Sequence, residues 1–535
     1  MSVAAVIDLA RLVDREKVAH ADVCIVGAGA AGIYLAVRLA EEGLKVVLLE
    51  AGPEHCVDSS AIGFLPSFDA DEYPGATLGR FFGMGGSTAK WGGLLVPHSN
   101  NDAEGRGLEA NDAWFSIVKT VSENSESVLQ QLGWNGSSSF STFADQHLIG
   151  ARAVLDAAGF DLTASLFLPF RRKNLTFLLR QRRNFRNSIT VYYNAVAKDW
   201  GVAEANGGGA QIRRLVAVSQ NSNQLVVYAT QFVVAAGALE SARILQEVDC
   251  SAAMPVLRKG AAVGSNLSDH LSLPVADVAP SDQADAIRLL APRFEKGWMR
   301  SFRFLPKVQA SDSPRAFCHF IFENSNPGFA VAKEVLCSLQ ARRRPALTAA
   351  ALRSGIGGLM QLGYLRYMHS RLFIPPDTPV RLQLDVEQEA VSGNCISLGE
   401  ERDRYGRRVS RINWRIRERD IERVRATAES ILRKWPGRKA GLPELIARNN
   451  AVDDIKPYDA YHPVGTCRMG LDLAAVVDPS LKVWGVQNLW VASTGVLPSA
   501  GSANPTFTML CLAEGIAGQL RKRARMAVSA LRVDA

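Results

Sequence analysis

Eight cysteines stand singly along the 535-residue sequence, at 24, 56, 250, 318, 337, 395, 467 and 511, with no CxxC pair among them. Zinc, thioredoxin-like and haem-attachment chemistry therefore lack ligands at the spacing they need. No metal is expected, and the thiols are expected to be reduced, in a reducing compartment. No uncharged run reaches transmembrane length, and no twin-arginine motif occurs. The first twenty residues lack a basic n-region, and Asp8, Asp14 and Glu16 break their apolar run. No secretory signal is expected there. The stretch reads as a short amphipathic helix leading into the first strand, and the location as cytoplasmic. Nucleic-acid motifs are missing too. The net charge of +8 is a mild excess spread over the whole chain, so it reads as a solvated basic surface with no nucleic-acid partner. With 47% hydrophobic and 21% charged residues, the composition suits a soluble globular protein with a sizeable core. The length calls for about two domains, which can interleave.

The N-terminal end carries DVCIVGAGAAG at 22–32. Val23 to Val26 form a short apolar run fit for a buried parallel strand. Gly27, Gly29 and Gly32 follow in GxGxxG spacing, residues 30–42 read as a helix with Gly43 as its cap, and Lys45 to Leu49 form a second β-prone run ending in Glu50. Gly27 permits the tight turn, Gly29 lets the backbone approach a pyrophosphate, and Gly32 lets helix and strand pack closely. Ala30 and Ala31 open a helix whose free N–H groups and positive end suit that phosphate. Glu50 is placed to accept hydrogen bonds from ribose hydroxyls. The order predicts a dinucleotide, FAD or NAD in preference to NADP, without choosing between those two.

Residues 79–96 read GRFFGMGGSTAKWGGLLV. Glycine pairs flanking a polar Ser-Thr suit a loop whose backbone presses on a flat ring and donates N–H groups to it. The embedded Phe82, Met84 and Trp91 argue against a solvated linker. The string GGSTxxxGG, made by Gly85, Gly86, Ser87, Thr88, Gly92 and Gly93, resembles the flavin-contacting segment of the glucose–methanol–choline (GMC) oxidoreductase family. FVVAAGALESARIL at 232–245 and VGSNLSDHL at 263–271 resemble further segments of that family, in its order. So do HPVGTCRMG, VVDPSLKVWGVQNLWV and GSANPTFTMLCLAEGIA within 461–520. The resemblance implies FAD and an α/β, Rossmann-like FAD-binding domain assembled from discontinuous segments, 18–99, 189–274 and 456–522. It implies an α+β substrate domain with an antiparallel sheet, from 100–188 and 275–455. It also places Trp91, Gly92, Val196, Ala236, Ser493, Pro505 and Thr506 against the cofactor. Lys90 occupies the column where some members attach the flavin through a histidine, so noncovalent FAD is expected. Trp91 resembles the pyranose-oxidase and fructose-dehydrogenase branch and tilts the substrate toward a sugar. Ser493 occupies a column where the family often has aspartate, which puts one polar contact to the flavin in doubt.

Alcohol oxidation needs a base for the hydroxyl proton and an acceptor for the carbon-bound hydride, which flavin N5 supplies. His462, in YHPVGTCRMG, is the candidate base, because an imidazole accepts protons near neutral pH. Asn504, in GSANPTFT, is suited to hold the substrate oxygen. The resemblance implies the same pair. Pro463 and Pro505 bias these two residues toward extended backbone, and Pro505 opens a helix expected to reach about Leu520. The other seven histidines read as structural or surface residues, with His270 as a loop anchor.

Between the nucleotide-binding pieces, 379–416 alternates like strands, with a hairpin turn at Asp403–Gly406, and is expected to roof the substrate cavity. Residues 335–376 hold Arg342, Arg343, Arg344, Arg353, Arg366 and Arg371, no acid, and apolar runs between them. This basic apolar insertion is open between peripheral membrane contact, a subunit interface, a cap on the active-site mouth, attraction of an anionic substrate and a plain solvated insertion. Residues 523–535 read as a basic C-terminal tail. The functional expectation is an FAD-dependent oxidoreductase acting on a CH–OH group, a sugar or glycoside hydroxyl first. Its electrons would leave to oxygen, a quinone or an electron-transfer protein. A flavin-containing lyase on the same fold and a noncatalytic membrane-associated flavoprotein are the rival readings.

Overall fold

The computed structural model describes residues 5–533 except 107, 137–138, 182–187, 206–207, 309–312, 325, 341–343 and 449–456. One sheet gathers strands from distant parts of the chain. Its parallel part runs in the order Ala5–Asp8, Ile189–Tyr193, Val46–Leu49, Glu16–Val26, Gln224–Val234, and Leu489–Val491 joins the far side of the last of these. Ala210–Val218 and Val196–Glu204 extend that far side antiparallel. The central strands read as unbroken apolar runs because both of their faces are covered. Val46, Val47, Leu48 and Leu49 are all buried, as are Val23 to Val26.

The N-terminal stretch is not the amphipathic helix expected from its pattern. Ala5–Asp8 is a strand, Leu9–Arg11 a single 3-10 turn, and Glu16–Val26 an eleven-residue strand. The AVID segment gains backbone partners along Ile189–Tyr193, a gain that a short isolated helix cannot match. Asp8 ends it by accepting from the Ala10 N–H (3.0 Å) and from Asn194 Nδ2 (2.8 Å).

A second sheet is antiparallel, in the order Leu445–Ala447, His270–Val278, Val380–Glu387, Ala316–Phe322, Trp298–Pro306, Phe160–Phe167, Leu94–Leu95. The 379–416 stretch is divided, which corrects the expectation that it forms one roof. Val380–Glu387 lies in the large sheet, while the hairpin Cys395–Arg402 and Arg408–Asn413 pairs with Ser67–Phe68 instead. Its turn sits at Asp403–Gly406, with Gly406 at φ +79° and Asp403 Oδ1 accepting from the Tyr405 and Arg407 N–H groups. A buried ion cluster draws the hairpin away from the roof. Arg407 Nη1 reaches Glu240 Oε1 at 2.9 Å, and Arg243 Nε reaches the same oxygen at 2.8 Å. Burial raises the Glu240 carboxyl, but Arg243, Arg407 and Arg80 outweigh it and hold it at about 2.

The C-terminal helix runs Pro505–Val533, well past Leu520, so much of the expected tail continues it. It packs on the helix Ala30–Glu41 through a buried carboxylate. Glu514 accepts from Tyr34 Oη (2.9 Å), Arg38 Nε (2.7 Å) and Arg38 Nη2 (2.8 Å). The helix that follows the glycine-rich turn is thereby fixed to the helix that follows Asn504.

Candidate active site

The glycine-rich turn has the constraints its spacing demands. Gly27 has φ +106°, and a Cβ there would meet Ala235 O at 2.5 Å and Ala236 Cα at 3.1 Å, which puts Ala236 against the turn. On Gly32 a Cβ would fall 1.9 Å from Gly27 O. Gly29 differs: a Cβ there would meet nothing within 4 Å. Gly29 caps Ala30–Glu41 with no side-chain hydrogen bond and no acid in the first turn, so the helix end keeps its free N–H groups.

Residues 83–93 lie directly on this turn. The Gly85 N–H donates to Ala28 O at 2.9 Å, and a Cβ on Gly86 would stand 3.1 Å from Gly29 Cα. Thr88 Oγ1 closes the loop on Gly85 O (2.6 Å), Ser87 is exposed beside it, and Trp91 Nε1 donates to Lys173 O at 2.8 Å. Gly92 is exposed next to it. Glu50 is buried, and its carboxylate accepts from the N–H groups of Ala28, Gly52 and Gly83, each at 2.9 Å. It therefore ties the first glycine turn to the second. Val196 is fully buried in a small core with Phe64 and Val216. Ser493 follows Leu489–Val491, and its buried Oγ has no hydrogen-bond partner. An orphaned buried hydroxyl and a glycine face open to space fit a large polar group at this position.

Four strings converge on the pair His462 and Asn504. The Ser499–Asn504 turn is pinned from both sides. Glu387 accepts from Ser499 Oγ (2.8 Å) and the Gly501 N–H (3.2 Å), and Asp102 accepts from the Ser502 N–H (2.6 Å) and Oγ (2.9 Å). Gly501 has φ +69°, and a Cβ on it would strike His98 Cδ2 at 2.6 Å. Pro505 then starts the helix, with Thr506 half-buried in its first turn and Asn504 left at its mouth. On the other side, Tyr461 at φ +61° turns the chain so that the His462 N–H donates to both oxygens of Asp269 at 2.9 Å. Tyr73 Oη donates to the same carboxylate at 2.5 Å.

Asn504 Nδ2 stands 2.9 Å from His462 Nε2, and His462 Nδ1 stands 3.2 Å from His270 Nδ1. His270 Nε2 lies 3.0 Å from Gly501 O. That carbonyl can only accept, so His270 carries its proton on Nε2 and accepts at Nδ1. His462 must then donate from Nδ1. Its Nε2 keeps the lone pair and faces Asn504, and Asn504 Oδ1 in turn accepts from Arg303 Nη2. The network sets one tautomer of His462, with the basic nitrogen facing Asn504.

Residues read as structural thus take part. His270 touches His462, and His319 Nδ1 lies 3.5 Å from Asp385 Oδ2. Asp269, Arg303 and Tyr73 were missed altogether. The DH in VGSNLSDHL was the available signal for Asp269 and His270; no pattern marked Arg303 on its strand. Asp269, His270 and His462 also form a cluster whose ligand atoms lie within 4.8 Å of one another. Hydrogen bonds among themselves and to Tyr73 use those atoms, so the donor set fits a proton network better than a cation.

Residues 390–513 match the family model for GMC oxidoreductase, its C-terminal domain, and residues 22–117 match the one for FAD dependent oxidoreductase. The chain thus carries the C-terminal domain of a GMC oxidoreductase over residues 390–513. The 22–117 match makes FAD the dinucleotide of the glycine-rich turn. Among curated relatives, alcohol dehydrogenase [acceptor] of Pseudomonas putida is 37% identical over 87 residues, 16% of each chain. C-glycoside 3-oxidase of Arthrobacter globiformis is 37% identical over 113 residues, 21% of each chain. The chain therefore spans about a fifth or less of these relatives' length in the matched part. Among solved structures, pyridoxine 4-oxidase from Mesorbium loti is 19% identical with a TM-score of 0.54, covering 93% of this chain and 98% of that one. Formate oxidase of Aspergillus oryzae RIB40 is 16% identical with a TM-score of 0.53, covering 95% and 99%. At those identities the two structures establish the shared fold.

The pH behaviour of His462 and His270 follows from burial. Burial, then His270, Arg303 and His98, hold the His462 imidazole well below the usual histidine range. Burial takes His270 down to about 4. A lowered value keeps His462 in its neutral, proton-accepting form below pH ~6.5, where free histidine is half protonated. The acid limb of kcat/KM is therefore expected well below that pH, and a limb centred there would contradict the burial. The same shift carries a stability cost. The unfolded chain binds protons first, so stability is present above about pH 6.5 and is lost as pH falls toward 4. Thermal scans across that window are expected to show Tm falling.

Proposed function

We propose that this chain oxidises a CH–OH group of a sugar or glycoside, with His462 Nε2 taking the hydroxyl proton. The observation that carries the reading is the single tautomer of His462, with its lone pair 2.9 Å from Asn504 Nδ2. FAD, when bound, supplies the acceptor for the hydride. Gly27, Gly29, Gly32, Gly85, Gly86 and Ser493 are the residues proposed to hold it, noncovalently, since Lys90 offers no histidine for attachment. Asn504 Nδ2 orients the substrate oxygen. As His462 gains its proton, His270 Nδ1 accepts from the other ring nitrogen and spreads the new positive charge.

The polar groups around Asn504 support a neutral polyol. Arg303 and Asp385 are both buried; Arg303 Nη1 has no hydrogen-bond partner, and Asp385 Oδ2 and His319 Nδ1 have only each other, at 3.5 Å. Burial lowers the Arg303 guanidinium to about 10, raises the Asp385 carboxyl to about 6 and lowers His319 to about 3. Near neutral pH the set therefore holds one cation, one anion and one neutral ring. A carboxylate substrate would meet Asp385 and a quaternary amine would meet Arg303, whereas sugar hydroxyls satisfy both donor and acceptor. The acceptor of the electrons is proposed to be oxygen, a quinone or an electron-transfer protein, and residues 335–376 are proposed to meet a membrane surface.

The test is an anaerobic panel of sugars, glycosides and simple alcohols mixed with the holoenzyme, followed by flavin absorbance. Bleaching by a polyol and not by choline-type amines is the expected result. Cleavage of cyanohydrins with the flavin left oxidised would replace the proposal with the lyase reading.

A further inference from the structure

The segment between Phe322 and Val380 folds into two helices, Pro327–Gln340 and Ala349–His369, whose packing is inverted for a water-soluble hairpin. Glycines make the contact between them. A Cβ on Gly328 would lie 2.4 Å from the Gly358 carbonyl carbon, and one on Gly355 would lie 2.9 Å from Val331 Cγ2. Gly355 is buried, alone among the residues of the second helix. The large apolar side chains point the other way. Leu352, Ile356, Met360, Tyr364 and Tyr367 are all exposed, Met360 at 65% and Tyr367 at 82%. At 100° per residue they fall within an arc of about 120°, roughly opposite Gly355 and Gly358. Leu339 on the first helix is exposed at 61%. Close backbone contact through small residues, with bulky apolar side chains outward, is how helices pair where the surroundings are themselves apolar. Among the described residues no helix is long and apolar enough to cross a membrane.

We propose that this hairpin lies in the face of an anionic lipid bilayer, with Ile356, Met360, Tyr364 and Tyr367 seated among the acyl chains near the headgroups. Charge selects this occupant over a second copy of the chain. Arg353 is exposed within the apolar arc, residues 335–376 contain no acid, and Glu334 on the first helix is already engaged by Ser338 Oγ and the Ala346 N–H, each at 2.9 Å, so a self-interface offers Arg353 little neutralising charge. A phosphate headgroup neutralises it, while the arginine stem stays among the apolar side chains. Tyrosines suit the same boundary, with a polar tip and an apolar ring. The base of the hairpin is rooted in the protein. The Arg366 guanidinium covers the Phe294 ring at 3.8 Å, and Arg371 Nη2 donates to Ile287 O at 3.1 Å. Arg342 and Arg343 lie outside the described residues. The hairpin therefore lies on the bilayer as a monotopic anchor.

The test is flotation of the purified holoenzyme with phosphatidylcholine vesicles and with vesicles that also contain phosphatidylglycerol, scored by protein stain. The protein is expected to float with the anionic vesicles and to resist a high-salt wash, because apolar seating outlasts screened charge. An Ile356→Asp/Met360→Asp variant, altered only at exposed positions, is expected to bind roughly tenfold or more weakly with unchanged turnover in solution. Arg353→Glu is expected to lower capture by anionic vesicles alone. Wild-type protein that stays unfloated with both vesicle types overturns the proposal, and so does a double variant that floats as well as wild type. A lipid-free dimer that the double variant converts to monomers overturns it in favour of a second copy on this face.

Discussion

His462→Ala is expected to lower kcat/KM for alcohol oxidation by about a hundredfold to ten-thousandfold, the span that a positioned general base contributes. The flavin content is expected to stay at the wild-type level. The reason is the geometry around Nε2. Asn504 and the His270–Gly501 contact leave one lone pair, at one place, to take the hydroxyl proton. Alanine removes that lone pair and leaves the Asp269 contact to the backbone N–H, so the loop at 461–463 keeps its path. Steady-state kinetics with a substrate identified by bleaching measure the loss. Near-normal turnover with full flavin would remove His462 from the mechanism. The pH profile gives a separate check: the residual activity of the variant loses the acid limb that wild type owes to His462.

Gly32→Ala is expected to weaken flavin binding by distorting the turn, and Gly29→Ala to weaken it while leaving the turn intact. The two glycines separate because of what a methyl group would meet. On Gly32 it falls 1.9 Å from Gly27 O, backbone against backbone, so the strand–helix junction must open. On Gly29 it meets no protein atom within 4 Å and protrudes where the pyrophosphate of FAD would approach. Acid precipitation followed by absorbance of the supernatant measures flavin, and thermal unfolding without added flavin measures the fold. Wild-type flavin is expected to leave the precipitate, as noncovalent attachment requires. Gly29→Ala is expected to retain the unfolding temperature of flavin-free wild type but lose flavin by roughly tenfold or more in affinity, and Gly32→Ala to lose both. Equal behaviour of the two variants would contradict the separate roles.

Local pattern carried the reading of the nucleotide end. The GxGxxG spacing, the apolar runs around it and Gly43 after the helix all act within a few residues, and the chain there has few other ways to fold. The same holds for Pro505, which begins a helix in the structure as the string NPTF implies. Family resemblance extended the reading to Ser87, Thr88 and the pair His462 and Asn504, whose motifs are contiguous strings. The first twenty residues were misread because a short apolar stretch has no strong period, and a partner strand at Ile189–Tyr193 decided its form. The hairpin at 395–413 was legible as a hairpin, but its partner was set by the buried Glu240 cluster, whose members lie far apart in sequence.

The sequence alone marked the dinucleotide turn, the glycine loop laid on it and the candidate base and its amide partner, because each is written in one short run of residues with its own backbone demand. Only the tertiary structure decided what surrounds that candidate base. His270 and His462 are 192 residues apart and meet through one nitrogen contact, with Asp269 fixing the loop between them. Arg303, His319 and Asp385 come onto one sheet face because three strands lie side by side in register. The outward face of the 327–369 hairpin depends on glycines finding each other across two helices. In each case the chemistry lies in distances between residues that no local pattern relates.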